Sequence, residues 1–170
     1  TTTGVYEYEL TLAISQQLQT ELQNRGYTVY MTRTSHDVNI SNMERAQYAT
    51  SVGADIAVRI HANGAENASV SGAMALAPSP SNPYISYLSG SSWNLSQCVL
   101  NAYCQATGMR NQGVTGSDTM TGINWSTVPV TILEMGYMTN PTDDTNMENP
   151  SYQSQMVQGI ANGIDAYFGL

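Results

Sequence analysis

Lysine is absent from this chain; its five positive charges are all arginine, set against 13 carboxylates for a net charge of −8. Binding of nucleic acid needs a basic face, and this chain cannot build one. Charge of either sign is scarce at 11% of residues, while Ser, Thr, Asn, Gln and Tyr abound, a composition resembling the surface of a secreted protein. No apolar run approaches the ~18 residues of a membrane helix, so no membrane span is expected. The first residues do not read as a signal peptide. Only two cysteines occur, Cys98 and Cys104, in a segment that reads as helical. Their helical rise of about 9 Å exceeds what a disulfide spans, so two buried free thiols are expected. A bridge would require the helix to break near Tyr103.

What is present suits one domain: 170 residues can bury roughly 70% of the unfolded surface. Leu10, Ile14, Leu18 and Leu22 recur every fourth residue, predicting an amphipathic helix that ends near Arg25-Gly26. Tyr27 to Arg33 reads as a strand. A polar connection from Asp37 to Ser41 leads to a second helix, capped by Ser41 or Asn42 and ending near Val52. Ile56 to Ile60 reads as a strand that delivers His61 at its end, and Gly72 to Ala77 as a further strand. A Pro/Ser-rich break, a helix or helix pair over 84–107 and a long loop over 108–127 follow. Tyr152, Met156, Ile160, Ile164 and Phe168 fall on one stripe of a final helix.

The run Val130 to Leu133 reads as a strand buried on both faces. It meets a carboxylate, Glu134, and then Gly136 and a turn. An unpaired buried charge costs several kcal/mol, so Glu134 is expected at the open carboxyl end of the strand, facing a cleft. Helix–strand alternation with long crossovers predicts an α/β fold, a mainly parallel sheet sandwiched between helices in a single domain. No strand precedes the first helix, although an α/β unit normally starts with one.

Ligands of open α/β sheets bind beyond the carboxyl ends of the strands and at the starts of the following helices. Glu7, His61 and Glu134 fall at such ends. A histidine with a carboxylate suits Zn²⁺, whose catalytic sites use three protein ligands and one open position, and a further glutamate can carry the proton. Bland readings stay open: Glu7 complements the helix dipole, His61 is a hydrogen-bonded structural residue, and Glu134 pairs with Arg59 or Arg45. As a zinc site the set is one ligand short.

Local strings sharpen the choice. They are Glu7-Tyr8-Glu9-Leu10-Thr11-Leu12-Ala13-Ile14, Gly26 to Thr34, Asp37, Glu44-Arg45-Ala46, Gly53-Ala54-Asp55, Arg59-Ile60-His61-Ala62-Asn63, and Pro129 to Asn140 with its Leu-Glu-Met-Gly-Tyr centre. In this order, over nearly the whole chain, they resemble the zinc-dependent N-acetylmuramoyl-L-alanine amidases of the amidase-3 type. The resemblance implies that Glu7, in preference to Glu9, and His61 bind the zinc, and that Glu134 is the catalytic glutamate. Arg45 and Asn63 match recurring positions with supporting roles. Family members begin with a strand leading into an Asp-Pro-Gly-His type motif whose histidine is the first zinc ligand. Nothing like it precedes Glu7, so residues 1–170 are expected to be an amidase-3 type catalytic domain lacking its N-terminal strand. His36 is expected at the surface and not as a substitute ligand.

The resemblance further implies hydrolysis of the amide between N-acetylmuramic acid and L-alanine in peptidoglycan. It implies location in the bacterial cell wall and a separate wall-binding domain. A catalytically inactive wall-binding or regulatory domain is the alternative. The Gly64–Val70 loop and the 108–127 loop are expected to wall the cleft, with Asn124 and Trp125 placed to touch substrate.

Overall fold

The computed structural model describes residues 1–35 and 41–170; the expectations for His36 and Asp37 lie outside them. The elements run α1 (Glu7–Asn24), α2 (Asn42–Ser51), β1 (Ala57–Asn63), β2 (Ala73–Ala77), a 3-10 turn (Ser86–Leu88), α3 (Ser89–Thr107), β3 (Asn111–Gly116), α4 (Thr121–Asn124), β4 (Val130–Tyr137), α5 (Pro141–Met147) and α6 (Pro150–Phe168). The four strands form one sheet in the order β1-β4-β2-β3, parallel except where β2 meets β4.

Strand alternation sorts the two faces. Leu133 and Met135 of β4, with Val58 and Ile60 of β1, join the larger core beneath α1, α3 and α6. Val130 and Ile132 face the other way, into a smaller cluster with Ile85, Leu88 and Ile123. The near-continuous apolar run of β4 follows from burial on both faces, and all its residues except Glu134 are buried. On the larger side α3 and α6 approach closely because two glycines line the crossing. A Cβ at Gly159 would sit 2.8 Å from the Tyr103 Cα, and one at Gly163 would sit 2.7 Å from the Cys98 carbonyl oxygen. Cys98 and Cys104 are both free; Cys104 is buried, Cys98 only half so. Burial pushes the Cys104 thiol up to about 11.

Three expectations need correction. Residues 27–33 form no strand. They are held by side chains instead: the Tyr27 hydroxyl donates to Asp165 at 2.7 Å, and Arg33 donates to the Tyr8 carbonyl at 2.8 Å. The β-type sequence is real, but an open groove of about 530 Å³ lies between this segment and β1, floored by Leu12, Leu18 and Ile164. The segment therefore finds no ladder partner. The groove takes the position that a strand hydrogen-bonded to the outer edge of β1 would occupy. Residues 108–127 are not one loop; they contain β3 and α4. Gly113 with its positive φ of 85°, together with Gly116, erased the alternation by which a strand is recognised. β4 also continues three residues beyond Glu134, so that carboxylate sits within the strand and not at its open end.

Candidate active site

Pairing of β1 with β4 sets His61 directly beside Glu134. Paired residues share a face, so both side chains point to the side of the smaller cluster, in the carboxyl-terminal halves of two parallel strands. His61 Nδ1 lies 3.6 Å from Glu134 Oε1, outside hydrogen-bond reach. Unliganded catalytic pairs are often this long. The Glu134 side chain is only 12% exposed, and its Oε2 is buried without a hydrogen-bond partner. A buried carboxylate oxygen without a partner costs free energy, a state that Glu134 Oε2 shares with Asp144 Oδ1 and Glu148 Oε1.

Glu7 arrives from α1. Its Oε1 accepts the backbone N–H of Ala62 at 3.2 Å, which places its carboxylate against the residue that follows His61. Glu9, the neighbouring candidate, is occupied otherwise: its Oε2 accepts the Tyr6 N–H at 2.8 Å and caps the helix. The Glu7 carboxylate is thus fixed at the backbone of the residue after His61, and His61 pairs with Glu134, although the three are far apart in sequence. Asn63 stands two residues after His61; its Oδ1 accepts the Gly64 N–H at 2.9 Å, and its amide donates to the Met74 sulfur at 3.7 Å. The Ala65 N–H reaches Thr139 at 3.0 Å, so the loop after β1 borders this rim of the sheet.

Other predicted residues lie elsewhere. The Arg59 guanidinium packs against Gly122, toward the opposite end of the sheet; burial, then Arg45, holds it below the usual arginine range. The Ala57 N–H donates to the Pro129 carbonyl where β1 and β4 begin, and α4 immediately precedes that point. Asn124 and Trp125 thus sit at the far end of the strands from Glu134, and cannot wall its cleft. Asn124 bonds Asn82 and the Asp118 carbonyl instead.

A brace that sequence reasoning missed fixes the near end. Asp143, buried at 3% exposure, accepts from Ser71 Oγ at 3.1 Å, from Gly72 N at 3.1 Å and from Tyr137 N at 3.0 Å. Asp144 accepts the Thr3 N–H at 2.7 Å, holding the segment that leads to Glu7. The signal was the Asn140-Pro141-Thr142-Asp143 start of α5, where Asn140 caps the helix and the two aspartates complement its dipole.

The donors present suit zinc in type, an imidazole and a carboxylate, with Glu134 behind them. They fall short in number: among the described residues no group of three His, Cys, Asp or Glu side chains could hold a metal ion, whereas catalytic zinc takes three protein ligands.

A mixed sheet between helices, with His61 of β1 beside Glu134 of β4, defines an α/β protein of the kind whose ligands bind towards the carboxyl ends of the strands. The model of the family described as N-acetylmuramoyl-L-alanine amidase matches residues 1–166, and the chain belongs to that family. It is 29% identical over 165 residues to the uncharacterized protein YqiI of Bacillus subtilis, covering 97% of this chain and 76% of that one. It is 27% identical over 167 residues to the N-acetylmuramoyl-L-alanine amidase LytC of the same organism, covering 97% of this chain but 32% of LytC. The crystal structure of an N-acetylmuramoyl-L-alanine amidase from Clostridium difficile superposes with a TM-score of 0.88 at 27% identity, over 99% of this chain and 87% of that one.

Proposed function

We propose that this domain hydrolyses the amide between the lactyl group of N-acetylmuramic acid and the L-alanine that opens the peptide stem of peptidoglycan. The observation that carries the reading is the Glu134–His61 juxtaposition, with a buried and unpartnered carboxylate oxygen on Glu134. Glu134 takes the proton of the attacking water and returns it to the departing alanine nitrogen. His61 and Glu7 are the residues that would hold a zinc ion, and the chemistry zinc supplies when bound is polarisation of the carbonyl and easier deprotonation of water. Residues 64–70 border the acyl side of the cleft. The domain works in the cell wall, outside the membrane. With a net charge of −8 it is repelled by anionic wall polymers, so retention falls to a separate wall-binding domain.

Purified protein supplied with Zn²⁺ is expected to release soluble peptides with new alanine amino termini from peptidoglycan, together with free lactyl carboxylates, both read by mass spectrometry. Glu134→Gln should reduce release by about 10²–10⁴-fold. Equal release by both proteins would sink the reading. It would favour an inactive wall-binding domain.

A further inference from the structure

Strand order gives the rim a polarity. On the face that carries Glu134, His61 of β1 stands to one side and Met74 of β2 to the other, each paired with Glu134. Groups suited to the acyl carbonyl, His61 and Glu7, are on the β1 side. Glu134 protonates the leaving nitrogen, so the severed peptide extends away from β1, across β2 and towards β3.

The first cation met in that direction is Arg110, which immediately precedes β3. Its carbonyl accepts the Ala73 N–H at 2.8 Å, fixing it beside β2. Asn111 turns its side chain to α3, bonding Asn101 at 3.0 Å, so alternation sends Arg110 to the opposite face, that of Glu134 and His61. The other arginines have structural work: Arg25 with Glu21 and Asp165, Arg33 with Tyr8 and Thr11, Arg45 with Thr32, and Arg59 under Gly122. Arg110 is exposed and, among the described residues, makes no side-chain hydrogen bond or ion pair.

Its backbone is over-determined. Any side chain at Gly72 would collide with it, since a Cβ there would lie 2.7 Å from the Arg110 carbonyl oxygen. Gln112 bonds the Ser71 carbonyl and the Tyr137 hydroxyl, each at 3.0 Å. A lone cation held on a rigid platform in an acidic protein is suited to select a carboxylate. Two strand spacings and a two-residue offset along β2 put the Arg110 backbone about 12 Å from that of Glu134, and an extended peptide advances about 3.4 Å per residue, so the residue after alanine comes within reach of the long guanidinium side chain.

We propose that Arg110 binds the carboxylate of the acidic residue that follows L-alanine in the stem, making this end of the site selective for an acidic over an amidated peptide. The proposal rests on the amidase reading above. Its test is binding, which needs no bound metal: ¹⁵N-labelled protein titrated with N-acetylmuramoyl-L-alanyl-D-glutamate and with the corresponding isoglutamine amide. The acid should bind about fivefold more tightly, the span of an exposed charge pair, and shift the Arg110 Nε resonance. Arg110→Gln should bind both alike, and Arg110→Lys should keep part of the preference. Equal binding by the wild-type protein, or a preference surviving in Arg110→Gln, would overturn the proposal while peptide release from the wall still stood. Failure of both ligands to bind would overturn the muropeptide reading beneath it.

Discussion

The two flanks of Glu134 are built differently. On the β2–β3 side β2 is paired along both edges, and Asp143 ties Ser71, Gly72 and Tyr137 into one block. On the other side β1 has β4 as its ladder partner, and beyond it lies the open groove against residues 27–33. Glu134 therefore stands between a flank braced by a buried carboxylate and a flank that borders the groove.

The largest effect should come from breaking the brace. Asp143→Ala leaves three donors unpaired, and at about 1 kcal/mol each, the low end for an unsatisfied buried group, the unfolding free energy from denaturant titration should fall by about 3 kcal/mol. A change within experimental error would show that the block does not depend on this carboxylate.

Hydrogen exchange reads the same contrast without mutation. Amides of β4, paired on both sides, should exchange only through global unfolding. Those of β1 that point to the groove should exchange through local opening, and so much faster. Uniform protection across β1 and β4 would erase the distinction between the flanks.

A smaller effect concerns Glu148, which follows the brace on α5. Burial first, then Asp144 and Glu9, raise its carboxyl above the ordinary range. A group whose pKa is higher folded than unfolded contributes stability that is complete below the unfolded value and is lost as pH rises through the folded one. Glu148→Gln should therefore gain slightly on the wild-type protein in melting temperature as pH climbs out of the acid range, by a fraction of about 1 kcal/mol because the site is partly solvated. A widening deficit of the variant would reverse the sign assigned here.

Much of this contrast was legible in the residues. The four-residue spacing of α1 and the stripe of α6 follow from amphipathic burial, and the run into Glu134 announced a strand buried on both faces. The pairing of His61 with Glu134 was foreshadowed by their places late in two runs that read as strands. What stayed hidden depends on partners remote in sequence. Tyr27 to Arg33 has strand chemistry, yet a strand exists only where a neighbour supplies the ladder. β3 carries two glycines and no alternation, and its place was set by pairing with β2. The role of Asp143 required Ser71 and Gly72, about seventy residues earlier in the chain, to return beside it. Asn124 and Trp125 read as cleft residues only while β3 and α4 were taken for one loop; the direction of β2 carries them to the far end.

The division of labour at the rim is tested most directly by zinc titration calorimetry on the wild-type protein, His61→Ala, Glu7→Gln and Glu134→Gln. The account predicts that the His61 and Glu7 variants lose zinc binding while Glu134→Gln retains the wild-type affinity. Loss of binding in Glu134→Gln to the same extent as in His61→Ala, or wild-type affinity in His61→Ala, would contradict it.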